Sequence, residues 1–136
     1  MWGDYAPPPM SKTVILTADA PKPVSAYSQA IQSGSLLFLA GQIPLDPGTG
    51  QVVSGTIAEE TDRVMANVRA VLGAAGATLE QVVKTTVYLT NMADFPAFNA
   101  AYARYFPSEP PARSTVAVAA LPLGVRVEVE AIAVLP

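Results

Sequence analysis

The sequence predicts one α+β domain, a mixed β-sheet with two helices packed on one face, in the order βββαβαββ. Two segments, starting near Thr56 and near Asp94, repeat apolar residues at helical spacing. Between them Val82 to Thr90 is rich in β-branched residues, and short strand-like runs lie on either side. Strand–helix–strand passages need crossovers, so both helices backing a mixed sheet is the economical arrangement.

Each element has its own signal. Thr13-Val14-Ile15-Leu16 reads as a short first strand. Tyr27 to Gln32 and Ser35 to Gly41 read as the second and third, joined by a turn at Ser33-Gly34. Leu45 to Gly50 is dense in turn residues. Thr56 followed by Glu59 is a capping-box signature. Val64, Val68, Val71, Leu72 and Ala75 then share one helical face, with Gly76 as the stop. The second helix is expected from a cap at Asp94 to about Tyr105, with Phe95, Phe98, Ala101 and Tyr102 inward. After a loop at Ser108 to Pro111 come two terminal strands. Residues 1–10, with three consecutive prolines, read as an irregular Pro-rich extension, leaving 11–136 as the domain.

Composition narrows the function. Only 14% of the 136 residues are charged, against about 25% in an average globular domain. So few charges on so small a domain suggest burial against other subunits. The net charge is −3 and no Lys/Arg-rich block occurs, which speaks against nucleic acid. No apolar run is long enough to span a bilayer and no signal-peptide pattern opens the chain, so a cytoplasmic location with no membrane partner is expected. The chain has neither Cys nor His, which removes thiol and imidazole catalysis and the usual zinc sites. Carboxylates, Arg, Lys, Tyr and hydroxyls remain.

The terminal strands hold the most informative residues. Alternation puts Arg113, Thr115 and Ala117 on one side of the first. It puts Arg126, Glu128 and Glu130 on one side of the second. Leu121 to Gly124 is short enough for a hairpin that would set the two polar faces side by side. A guanidinium grips a carboxylate bidentately, and a Glu orients or deprotonates water. The competing reading is solvated charges or a cross-strand ion pair worth under about 1 kcal/mol. Alternation does not choose between Glu128 and Glu130. Tyr27 heads a strand after a Pro-containing loop, either as a packing residue or as a hydroxyl donor to a ligand. Asn99 interrupts an apolar helix, where it either hydrogen-bonds inside or faces solvent. Ala40-Gly41-Gln42 ends a strand, and Gly there allows close backbone approach.

These residues resemble the RidA/YjgF/UK114 family of reactive-intermediate deaminases over nearly the whole chain from about Met10. The resemblance is carried by Ala20-Pro21 through Tyr27-Ser28-Gln29, Gly41-Gln42-Ile43-Pro44, Val83-Lys84-Thr85-Thr86-Val87, Phe98-Asn99-Ala100-Ala101-Tyr102, Pro111-Ala112-Arg113-Ser114 and Glu128-Val129-Glu130-Ala131-Ile132-Ala133. It implies a chorismate-mutase-like fold and a homotrimer with sites between adjacent subunits. The implied activity is hydrolysis of 2-enamine/2-imine acids (2-aminoacrylate/2-iminopropanoate, 2-iminobutanoate) to 2-keto acids and ammonia. No cofactor or metal is implied. Arg113 matches the arginine that grips the substrate carboxylate, Glu128 the glutamate that acts on water, and Tyr27 the pocket tyrosine. Asn99 matches a site asparagine, and the Thr115 backbone a position facing the ligand. Ala40 falls where the family has a site serine, beside Gly41, and Thr115 where Cys is common. Ser25-Ala26 replaces a frequent Gly-Pro. The alternative is a non-catalytic trimer that binds small 2-imino or 2-keto carboxylates as a regulatory protein. Ribonuclease or translation-inhibitor activity, also attached to this family, is disfavoured by the acidic balance.

Overall fold

The computed structural model describes residues 2–4 and 11–136. Apart from a 3-10 turn at Trp2–Asp4, the expected extension lies outside the described residues. One six-stranded sheet is built from β1 (Thr13–Ile15), β2 (Ala30–Ser33), β3 (Leu36–Gln42), β4 (Val82–Leu89), β5 (Ala112–Ala117) and β6 (Val127–Val134). Helix α1 (Ile57–Ala74) lies between β3 and β4 in the chain, and α2 (Phe95–Ala103) between β4 and β5. The predicted order and fold class stand.

Helix α1 starts as its sequence predicts. Thr56 Oγ1 accepts from the Glu59 N–H at 3.2 Å, while Glu59 Oε1 accepts from the Thr56 N–H at 3.4 Å. Val64, Val68, Val71 and Leu72 are buried against the sheet, and Gly76 leaves the helix at φ +77°. Helix α2 departs from expectation at both ends. Asp94 makes no cap bond; Asn91 instead accepts from the Ala93 N–H at 3.0 Å and caps a preceding 3-10 turn. The helix then stops at Ala103, short of Tyr105. The expected second strand also starts later, at Ala30, so Tyr27 sits in a loop rather than on a strand.

The strand order is β1-β2-β3-β6-β4-β5, with β4 and β5 parallel and the other pairs antiparallel. This overturns the expected β5–β6 hairpin. Strand β5 returns from α2 parallel to β4 and takes its outer edge, so β6 must cross the end of β4 to pair between β4 and β3. That crossing spans two inter-strand spacings, roughly 9.6 Å, too wide for a tight turn. Leu123 and Gly124, at φ +59° and +69°, reverse the chain along it.

Alternation on β6 then divides the sheet into two faces. Val127, Val129, Ala131 and Ala133 point into the helix layer and are buried. Each Val buried there stabilises the fold by about 1.5–3 kcal/mol. Glu128, Glu130 and Ile132 point the other way, where both helices are absent. Across the register on that open face lie Phe38, Thr86 and Tyr88. Among the described residues no helix is long and apolar enough to cross a membrane.

Candidate active site

The predicted site residues fall into two clefts rather than one. The first, about 630 Å³, contains Tyr27, Ala40, Gly41 and Glu128. The second, about 360 Å³, contains Asn99 and Arg113. Because Arg113 is in register with Thr85, a buried helix-side residue, it lies on the helix side of the sheet edge, while Glu128 occupies the open face two strands away. The expected side-by-side polar faces are therefore not formed within one chain.

The first cleft is shaped by a bulge. Between Leu39↔Ala131 and Gln42↔Val129, β3 advances one residue more than β6. Such an extra residue bends the strand and re-aims its neighbours. Here it turns Ala40 and Gly41 under Glu128. A Cβ on Gly41 would sit 2.5 Å from Glu128 Oε2 and 2.8 Å from Cδ, so only glycine lets the carboxylate lie where it does. Burial first, and the charge of Glu130 second, push the Glu128 carboxyl above its ordinary range. Tyr27, half exposed at 51%, stands on the loop at the rim.

That loop is held by a residue the sequence reading did not single out for this role. Gln29 is buried, and its Nε2 donates to the carbonyls of Thr17, Ala20 and Pro21 at 3.0, 3.3 and 2.9 Å. Its Oε1 accepts from the Thr17 N–H at 2.7 Å, and its own carbonyl accepts from the Ala40 N–H at 2.9 Å. One residue, through its side-chain amide and its main-chain carbonyl, thus ties the Tyr27 loop to the bulge. A Gln at the head of a strand gives no sequence signal for this, because all its partners are backbone groups brought in by the fold.

The second cleft fixes a guanidinium. Arg113 Nη1 donates to Asn99 Oδ1 at 2.9 Å, which resolves the open question about Asn99 in favour of a hydrogen-bonding role. The guanidinium carbon lies 5.0 Å from the Tyr102 ring centroid and 5.4 Å from that of Phe95, within cation–π range. Tyr102 is held in turn by a 2.7 Å hydrogen bond between its hydroxyl and Thr85 Oγ1. With Nη1 committed to Asn99, Arg113 still offers Nη2 and Nε to an anion. Thr115 lies on the same side of β5, and its buried Oγ1 has no hydrogen-bond partner. As β5 is the sheet edge, one row of its backbone groups is unpaired there. Among the described residues no group of three or more His, Cys, Asp or Glu is gathered to hold a metal ion.

The fold and the two clefts define an α+β domain of mixed sheet and paired helices that offers a cation in one hollow and a carboxylate in another. Residues 17–135 match the family model described as Endoribonuclease L-PSP, and the chain belongs to that family, the group of Rid and RutC proteins. It is 52% identical to a RutC family protein of Pyrococcus horikoshii over 90% of this chain and 97% of that one. It is 46% identical to the Homo sapiens 2-iminobutanoate/2-iminopropanoate deaminase, over 90% of each chain. The crystal structure of E. coli TdcF with bound serine superposes with a TM-score of 0.87 at 36% identity, covering 91% of this chain and 99% of that one.

Proposed function

We propose that this protein hydrolyses small 2-enamine/2-imine acids to 2-keto acids and ammonia, in sites formed where the Arg113 cleft of one copy meets the Glu128 cleft of the next in a ring of three. The complementary pair of half-sites carries this reading, since neither cleft holds both an anion grip and a water-activating group. The open sheet face supports the assembly: Leu36, Phe38, Val116 and Val134 are 39–42% exposed there, an apolar surface that calls for a cover. The relatives named as imine deaminases supply the substrate class, and the serine-bound TdcF fits a small carboxylate ligand. The family model's description names an endoribonuclease. The net charge of −3 argues against RNA as substrate here.

In this mechanism Arg113 pairs with the substrate carboxylate, pre-aimed by Asn99 and the two rings. An enamine substrate first takes a proton from solvent at C3 to become the iminium tautomer. Glu128, as carboxylate, removes a proton from water while the water oxygen bonds to C2, giving a carbinolamine. Glu128 then returns that proton to the amino group. The C–N bond breaks as the carbinol O–H loses its proton back to Glu128, leaving the keto acid and ammonia, and Glu128 then passes that proton to the ammonia, which departs as ammonium and restores the carboxylate. A carboxyl whose proton affinity is raised is the better base for the first transfer. Tyr27 supplies a hydroxyl at the rim, and Ala40 leaves that wall without one.

The test generates 2-aminoacrylate with a dehydratase and follows keto-acid release by wild type, Arg113→Ala and Glu128→Gln. Acceleration by wild type and its loss in both variants supports the reading. No acceleration, or full activity in Arg113→Ala, overturns it. Tight binding of a 2-keto acid without turnover would identify the non-catalytic carboxylate-binding protein instead.

A further inference from the structure

The Glu128 cleft is larger and more apolar than a three-carbon substrate needs. Its volume of about 630 Å³ lies in the middle of the roughly 300–1,000 Å³ range that holds drug-sized ligands. Val24, Ile43, Leu45, Pro122 and Leu123 give it an apolar wall. Part of that wall is fixed from behind by α1. The buried Asn67 donates from Nδ2 to the carbonyls of Ile43 and Leu45 at 3.1 and 2.9 Å, and Arg63 Nη2 donates to Asn67 Oδ1 at 2.9 Å. A wall held by its own backbone keeps its shape before a ligand arrives.

Val24 and Leu123 are different, because the core has no use for them. Val24 is 90% exposed and Leu123 71%. Leu123 also takes a left-handed φ of +59°, which Gly or Asn adopts more readily than leucine. A single exposed apolar residue is ordinary. Two of them, from distant segments, on one cleft that also holds a carboxylate form a patch with a use. The charged neighbours leave the wall apolar. Glu130, next on the same face of β6, accepts at 2.6 Å from the hydroxyl of Tyr88, which stands across from Glu128 in the register and reaches diagonally. Glu130 does not line the cleft, and Arg126 is paired with the buried Glu60. Among the described residues the charged groups on the lining are Glu128 and Lys22. Lys22 is exposed, and a lysine stem lies along apolar surface with its ammonium in water.

We infer that Leu123 and Val24 are specificity-determining residues, reserving the cleft beside Glu128 for a branched aliphatic substrate side chain longer than methyl. This rests on the proposed deaminase reading and names the substrate class within it. With the substrate carboxylate on Arg113 of the next copy and C2 beside Glu128, the side chain on C2 is left to the same cleft. There it covers the two apolar residues that the fold leaves bare, and each carbon removed from water strengthens binding.

The experiment titrates the assembled protein calorimetrically with 2-keto acids, the stable products of the imines. Pyruvate, 4-methyl-2-oxopentanoate and 2-oxoglutarate are compared on wild type, Leu123→Ser, Val24→Ser and the double variant. Both side chains are exposed, so neither change threatens the core. Wild type should bind 4-methyl-2-oxopentanoate about 10-fold more tightly than pyruvate, as three added carbons half removed from water imply. Each single variant should narrow that preference about threefold, and the double variant should abolish it. Equal binding of the two acids by wild type, or a preference unchanged in the variants, overturns the inference. So does a variant whose ring of three falls apart, since its side chain then belongs to the contact between copies. Tightest binding of 2-oxoglutarate, lost in Lys22→Ala, would overturn it in favour of a second carboxylate. The titration needs no turnover, so the two readings fail separately. Turnover of 2-aminoacrylate with no side-chain preference sinks this inference alone. A Leu123-dependent preference with no imine turnover sinks the deaminase reading alone.

Discussion

Gly41→Ala separates the site from the fold. The new Cβ would lie 2.5 Å from Glu128 Oε2, 2.8 Å from Cδ and 3.0 Å from Cγ, whereas ordinary contact begins near 3.4 Å. The carboxylate must therefore retreat by about 0.9 Å. Gly41 is not among the residues with positive φ, so alanine fits its backbone without strain. The Glu128 side chain can yield by leaving its preferred rotamer, at a cost of about 0.5–1.5 kcal/mol to stability. Catalysis is more sensitive, because a misplacement of about 1 Å costs on the order of 100-fold, or about 2.7 kcal/mol at the barrier. The expected variant is folded, melts within a few degrees of wild type, and loses about two decades in kcat/KM on 2-aminoacrylate. In a Glu128→Gln background the same change costs far less, since the displaced group is already disabled. A folded Gly41→Ala protein within about threefold of wild-type kcat/KM would refute the argument that this glycine exists to admit the carboxylate.

Mixing tests the shared site directly. Arg113→Ala and Glu128→Gln proteins, co-refolded at equal amounts into rings of three, give mixed rings in about three quarters of cases, each rebuilding one site of three. About a quarter of wild-type activity should return, and none if each copy works alone. Tyr102→Phe keeps the ring over Arg113 but leaves the buried Thr85 Oγ1 unpaired, so urea denaturation should show a loss of about 1–3 kcal/mol, with activity nearly retained. Tyr88 ionises at about 12 in the folded protein against 10.0 ordinarily. Its contribution to stability is thus fully present below pH 10 and lost as pH rises toward 12. The stability difference between wild type and Tyr88→Phe, followed by denaturation against pH, should shrink over that window. A constant difference would show that the hydroxyl does not titrate as described.

The elements whose signals are local were legible in the chain. The Thr56–Glu59 cap, the Val64–Val68–Val71–Leu72 face and the alternation of β6 depend on residues a few positions apart, so α1 was found with nearly correct ends and β6 with its polar and apolar sides correctly sorted. Asp94 misled because Asn91 three residues earlier offers the same chemistry and begins the turn first. The residues proposed for the site were singled out from the chain because an Arg and a Glu on apolar strands stand out, and the family resemblance chose Glu128 over Glu130.

What the chain by itself determined was the inventory: an α+β domain, no His or Cys, and an arginine and a pair of glutamates on the terminal strands as candidates for the proposed chemistry. Tertiary structure alone decided how they stand to one another. Strand order is set by which edges remain free once α2 returns β5 beside β4, a long-range choice that no local pattern records. That choice inserted β4 between the two informative strands and sent Arg113 and Glu128 to opposite faces. The bulge under Glu128, the Gln29 tie and the diagonal reach of Tyr88 to Glu130 depend equally on register between distant segments. Side-chain alternation is local, so each strand could be read alone; pairing is not, so the site could not.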